Sequence, residues 1–164
     1  MKIFDDHYFD DLTGQAKANP RLRQHCNIHH SYQDACQRLF NAIEPGSYIR
    51  PHRHASDPRD ELLLAIRGSM AVVTFDDQGC VINVVRMGNE RFGVYVTNAV
   101  EISSSTWHTV VSLEPGSILL EVKAGPFDPN QPKDLACWAP AEQDPAATTY
   151  YKSILSHIEN WSKK

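Results

Sequence analysis

The sequence predicts an all-β barrel or sandwich with a short helix at each end. Two observations carry this. From residue 35 to 125 the chain is a series of short runs rich in β-branched residues, spaced by roughly ten residues and closed by Gly, Asp, Asn or Pro turns. No helical period intervenes between them, which argues against a parallel α/β sheet.

The elements follow in order. Residues 5–18 read as a helix with Phe9, Leu12 and Ala16 on one face, ended by Asn19-Pro20. Residues 21–34 are rich in His, Asn and Gln and read as an ordered arm, not a core strand. The first strand run is CQRLFNAIEPGSYIRPHRH (36–54), followed by ELLLAI before Arg67-Gly68 and MAVVTF before Asp76-Asp77-Gln78-Gly79. VINVVRM leads to Gly88-Asn89; RFGVYVT, VEIS, HTVVSL and SILLEVK complete the series. After Gly125 comes a proline-rich irregular segment. Asp144-Pro145 then offers an N-cap and a first-turn proline to a closing helix striped with Ile154, Leu155, Ile158 and Trp161. The expected organisation is one domain, with the barrel at 35–125, a helix and arm at 1–34, and the irregular segment and helix at 126–164.

Composition narrows the partners. Sixteen basic and 20 acidic residues leave a formal charge of −4 with no basic stripe, so neither nucleic acid nor an anionic membrane is the expected partner. A small molecule is, with a homodimer left open. Cys26, Cys36, Cys80 and Cys137 form no CxxC pair, and their spacing asks for neither a disulfide nor thiolate zinc. Aspartates occupy the N-terminal stretch where a secretory leader is apolar. The longest clean apolar run, Leu62 to Ile66, is far too short for a bilayer. A cytoplasmic, reduced protein is the expectation.

The chemistry concentrates in GSYIRPHRH, residues 46–54. Side chains at i and i+2 of a strand share a face, so His52 and His54 converge on one point, half of a metal site. Glu61 follows the polar turn ASDPRD and opens the next strand, where it can fold back beside them. His108, in SSSTWHTVV, begins a later strand and is the remaining histidine of the barrel. His52, His54, Glu61 and His108 would give one divalent ion a mixed nitrogen and oxygen shell suited to Fe, Mn, Ni, Co or Zn. The competing reading is a chance His-x-His pair on a solvated strand, which the Glu, the Gly and the later His disfavour.

These residues resemble the cupin superfamily. Its first motif runs Gly, five residues, His-x-His, a few residues, Glu, six residues, Gly, and Gly46, His52, His54, Glu61 and Gly68 follow it. Six residues separate His54 from Glu61 where three or four are usual. The second motif is represented by His108, with Ser103-Ser104-Ser105 in place of Pro-x-Gly. More narrowly, NIHHSYQDACQRLFNAIEPGSYIRPHRH, ELLLAIRGSMAVVTFDDQG, STWHTVVSLEPGS and LEVKAGPFDP…WAPAE are similar to the WbuC family of cupin-fold metalloproteins. The resemblance implies a cupin double-stranded β-helix (a jelly-roll barrel), a metal site, and a link with bacterial surface-polysaccharide genes.

Further candidates surround the motif. Tyr48 and Arg50 share the parity of the histidines and would face the interior. Tyr48 is then a candidate catalytic group. Arg50 either holds a substrate anion or pairs with Glu121 or Glu101. Glu121 sits among apolar neighbours and is read as pointing inward, as a catalytic base or the partner of Lys123 or Arg50. The arm carries His25, Asn27, His29 and His30, with His29 a catalytic candidate and Asn27 and His29 candidate substrate contacts. The arm would close the barrel mouth over the metal, unless it pairs along an outer sheet edge with its histidines in solvent. Arg53 has the opposite parity and Trp107 is read as packing. The expected function is a metal-dependent enzyme on a small oxygenated substrate such as a sugar or nucleotide sugar. A metal-dependent binding or regulatory module, or an Fe(II) oxygenase, are the alternatives.

Overall fold

The computed structural model describes residues 1–88, 97–130 and 133–161. The order is α1 (Asp6–Ala18), β1 (Arg23–Asn27), β2 (Cys36–Ile43), β3 (His52–Arg53), β4 (Glu61–Arg67), β5 (Ser69–Phe75), β6 (Val81–Gly88), β7 (Ala99–Ile102), β8 (Trp107–Ser112), β9 (Ser117–Ala124), β10 (Asp134–Leu135) and α2 (Ala147–Trp161). The strands form two five-stranded sheets, β1-β2-β9-β4-β7 and β10-β3-β8-β5-β6. Every ladder between these strands is antiparallel. The expected strand RFGVYVT lies outside the described residues except for Thr97, which bridges to Met87.

Alternation along the strands sorts the apolar residues into three layers. Met70 and Val72 of β5 point between the sheets with Ile43, Leu63, Val110 and Leu119. Ala71, Val73 and Phe75 point the other way, onto Tyr151, Ile154 and Ile158 of α2. A strand covered on both faces reads as a continuous apolar run, which is what MAVVTF is. On the opposite sheet, Phe40, Ala42 and Ile118 take Phe9, Leu12 and Ala16 of α1. Full burial of a side chain such as Ile154 or Ile158 contributes about 1.5–3 kcal/mol, so each helix is held by its stripe and not by its propensity.

Asp5 caps α1, accepting from the Tyr8 N–H at 3.0 Å, whereas Asp144, expected to cap α2, accepts from the Ala146 N–H at 2.8 Å in the turn that precedes Ala147. Gly68 turns β4 into β5 at φ +77, and a Cβ there would lie 2.8 Å from the Cα of Ser117. Only glycine fits that crossing.

Two expectations change. Residues 23–27 are a strand, paired with β2 from Arg23↔Ile43 to Asn27↔Leu39, and not an arm free of the sheet. The long run 36–54 is two strands separated by a segment without ladder bonds. That segment, 44–51, turns at Gly46, with φ +95, and ends at Pro51, which has no N–H to give a ladder.

Candidate metal centre

The inward faces of the strands change character along their length. On β9 they run from Leu119 to Glu121 and Lys123, on β8 from Val110 to His108, and on β4 from Leu63 to Glu61. The apolar ends make the core between the sheets. The polar ends line a cavity of about 310 Å³, which Leu63, Val110 and Leu119 also reach. His52, His54, Asn41 and Ile49 share that lining, as do Arg23, His25, Asn27 and His29.

His52 of β3 stands directly opposite His108 of β8, with their rings 4.5 Å apart. His54 follows β3 and is fixed by its N–H, which donates to the Ser104 carbonyl at 2.7 Å. One ligand nitrogen from each of His52, His54 and His108 lies within 4.8 Å of the other two. All three residues are buried. The Nδ1 atoms of His52 and His108 lie 3.0 and 2.9 Å from the carbonyls of Arg50 and Thr106. A carbonyl accepts only, so Nδ1 carries the proton and each Nε2 keeps its lone pair. This is how a metal-ligating imidazole is commonly oriented. Burial, with the Lys133 charge nearby, holds His52 well below the usual histidine range.

Glu61 folds back as its place at the head of β4 predicts. It is 3% exposed, with Oε1 2.9 Å from His54 Nε2 and Oε2 3.4 Å from His108 Nε2. Lys123 Nζ lies 3.5 Å from the same carboxylate. Burial alone would raise Glu61, but the His108 and His54 side chains beside it hold the carboxylate well below the usual range. Glu121 moves the other way, up to about 8, because it is buried and next to the Glu61 charge. One proton therefore sits on the Glu121 side of the pair at neutral pH. Three imidazoles and one carboxylate are a donor set that fits a divalent first-row ion.

The remaining candidates divide. Glu121, Asn27 and His29 line the cavity. His29 is 7% exposed, its Nδ1 set against the Arg38 main chain, 2.9 Å from O and 3.1 Å from N. His30 is exposed. The first arm residues thus pair along the sheet edge, yet their odd-numbered side chains face the cavity.

Tyr48 and Arg50 are corrections. The Tyr48 hydroxyl donates to the Pro140 carbonyl at 2.9 Å, and its ring packs with Tyr150 of α2. Burial pushes its phenol up from the usual tyrosine range. Arg50 donates from Nε and Nη2 to the Ala136 carbonyl at 3.0 and 2.6 Å and pairs with neither Glu121 nor Glu101 among the described residues. Parity fails because residues 47–51 are not a strand. Ile49 faces the cavity instead, held by Thr109, whose hydroxyl donates to the Ile49 carbonyl at 2.6 Å. Arg53 is part-exposed and stacks over Trp107 at 4.3 Å, and Trp107 donates to Asp77, which makes it a packing residue as read.

Arg23, Asn41, Lys123 and Lys133 belong to the cavity and were not singled out by the motif. Arg21, Arg23, His25, Asn27 and His29 alternate strictly. That period of two, in polar residues, was the available signal for a strand facing a wet interior. The four cysteines are free thiols. No described helix is long and apolar enough to cross a membrane.

Among solved structures, the Shewanella oneidensis protein SO0799 is similar with a TM-score of 0.56 at 8% identity, over 82% of this chain and 83% of that one. A mutant of Bacillus subtilis oxalate decarboxylase is similar with a TM-score of 0.50 at 17% identity, over 69% of this chain. This chain spans 27% of that protein's length. KdgF from Halomonas sp. matches with a TM-score of 0.49 at 18% identity, over 66% of this chain and 82% of that one. The likeness is one of fold, the cupin arrangement of two facing antiparallel sheets. No curated protein matches the chain in sequence. The family model described as "Domain of unknown function (DUF6016)" matches residues 4–87, about half of the chain, and the chain belongs to that family.

Proposed function

We propose that this chain is a metal-dependent cupin enzyme, holding one divalent ion through His52, His54 and His108 with Glu61 and acting on a small oxygenated substrate in the adjoining cavity. The observation that carries the reading is the convergence of three buried imidazoles within 4.8 Å, two of them with Nδ1 committed to main-chain carbonyls. Such an ion, when bound, supplies a Lewis acid that polarises a carbonyl or hydroxyl oxygen. Bacillus subtilis oxalate decarboxylase has Mn(II) centres, which makes manganese the first ion to try.

The chain's own groups supply the rest. Glu121, raised to about 8 beside Glu61 on the same cavity lining as the histidines, holds a proton at neutral pH, as a general acid must. Lys123 offsets the Glu61 charge. A cavity of about 310 Å³ has room for about ten waters' worth of ligand, which suits a sugar or the sugar end of a nucleotide sugar. The similarity to the WbuC family extends the reading to precursors of bacterial surface polysaccharide.

The test is a panel of sugars, sugar acids and nucleotide sugars, incubated with Mn(II)- or Fe(II)-loaded protein and followed by mass spectrometry. Turnover that disappears in His108→Ala is the expected result. Saturable binding without product across the panel would instead make the protein a metal-dependent binding module.

A further inference from the structure

The charged groups of the cavity are mostly spoken for. Arg23 Nη2 donates to Glu142 Oε1 at 2.6 Å, and Arg21 Nε donates to Glu142 Oε2 at 2.9 Å. Lys123 lies between Glu61 and Asp57. Lys133 is different. It reaches the cavity from the segment before β10 and makes no hydrogen bond or close ion pair among the described residues. The Glu121 carboxyl acts on it only through space.

Beside Lys123 Nζ, whose carboxylate neighbours lie at 3.5 and 3.8 Å, two buried polar atoms on the same lining also lack hydrogen-bond partners. Asn41 is 5% exposed and its Oδ1 has no hydrogen bond among the described residues. His29 is 7% exposed and its Nε2 has none either, although its Nδ1 is anchored. A buried polar group without a partner is costly, and native proteins rarely leave one except where a ligand or water completes it. Asn41 Oδ1 can only accept, so it calls for an O–H or N–H. Lys133, exposed where it meets the cavity, can only donate, so an anion is the group it can hold.

We propose that the cavity recognises a small hydroxylated anion, its charged group held at Lys133 and its hydroxyls served by Asn41 Oδ1 and His29 Nε2. This rests on the reading of the cavity as the substrate site beside the metal, and it names the substrate class. A single unpaired ammonium matches a single carboxylate or phosphate. Asn41 selects for a hydroxyl and against a simple alkyl acid, because an apolar group there would leave the carbonyl unpaired. His29 meets either tautomer at Nδ1, since Arg38 offers both a carbonyl and an N–H, so Nε2 can donate to or accept from a ligand hydroxyl.

Isothermal titration of gluconate, glucose 6-phosphate and glucose into the full chain tests this. Each is titrated into protein stripped with a chelator and into protein reloaded with Mn(II), with metal content measured in parallel. The expected result is one saturable site for at least one of the two anions in the stripped protein, with glucose at least tenfold weaker. Whichever anion binds better identifies the charged group as carboxylate or phosphate. Lys133→Met should bring that anion down to the affinity of glucose. Lys133 is solvent-exposed, so this variant is expected to fold. Binding of glucose as tight as both anions, no binding of any of the three, or an unchanged affinity in Lys133→Met would overturn the proposal. Absence of stoichiometric metal after reloading would sink the metal reading instead, and the stripped-protein comparison would still decide this one.

Discussion

Glu121 gives the pocket a measurable pH signature. Its carboxyl is raised from 4.5 to about 8 by burial and by the neighbouring Glu61 charge. In the unfolded chain the same group loses its proton near 4.5. Between these values the native state holds a proton that the unfolded state has released, so stability falls as pH rises. The limiting slope is about 1.36 kcal/mol per pH unit, which between about pH 5 and about pH 7.5 amounts to roughly 3 kcal/mol. For a chain of this length each kcal/mol moves the melting temperature by about 2–4 °C, so the metal-free protein should lose about 6–12 °C over that range from this group. Glu121→Gln is uncharged at both pH values and removes that contribution, while the other titrating groups act on both proteins. The assay is thermal unfolding of chelator-treated wild type and Glu121→Gln at the two pH values. The variant should show the shallower decline. Equal declines would refute the argument, and with it the placement of a protonated Glu121 beside Glu61.

Two further variants probe the site's edges. Glu61→Gln keeps the shape of the side chain but loses its charge, and it should weaken Mn(II) affinity at least tenfold with the melting temperature of the metal-free protein retained; unchanged affinity would leave a site of three histidines alone. Tyr48→Phe removes one hydrogen bond to Pro140, which costs about 1 kcal/mol, and should leave metal content and turnover as they were. A loss of turnover with metal retained would bring Tyr48 back into the reaction.

The motif was legible because its geometry is local. His52 and His54 need only an extended backbone to share a face, and Glu61 needs only to open the next strand. His108 was found by its position at the start of a later strand, and the ladder sets it opposite His52. Tyr48 and Arg50 were misplaced for the converse reason. Alternation holds only while the strand does, and here β3 is two residues long, preceded by Pro51. The inward face of β1 was hidden by its polarity, since Arg23 and His25 are not what a core-facing strand carries. A strand that lines a wet cavity inverts the usual pattern. β10, two residues long, carries no pattern at all, and it brings Lys133 to the cavity. The packing of both helices, by contrast, followed directly from their apolar stripes.

The central claim is that His52, His54 and His108 hold a single ion. Crystals of the full chain grown with Mn(II), with diffraction recorded on both sides of the manganese absorption edge, test it most directly. The account predicts one anomalous peak at about 2.0–2.3 Å from the Nε2 atoms of all three histidines. A peak elsewhere, or none at that site from protein shown to carry stoichiometric metal, would contradict it.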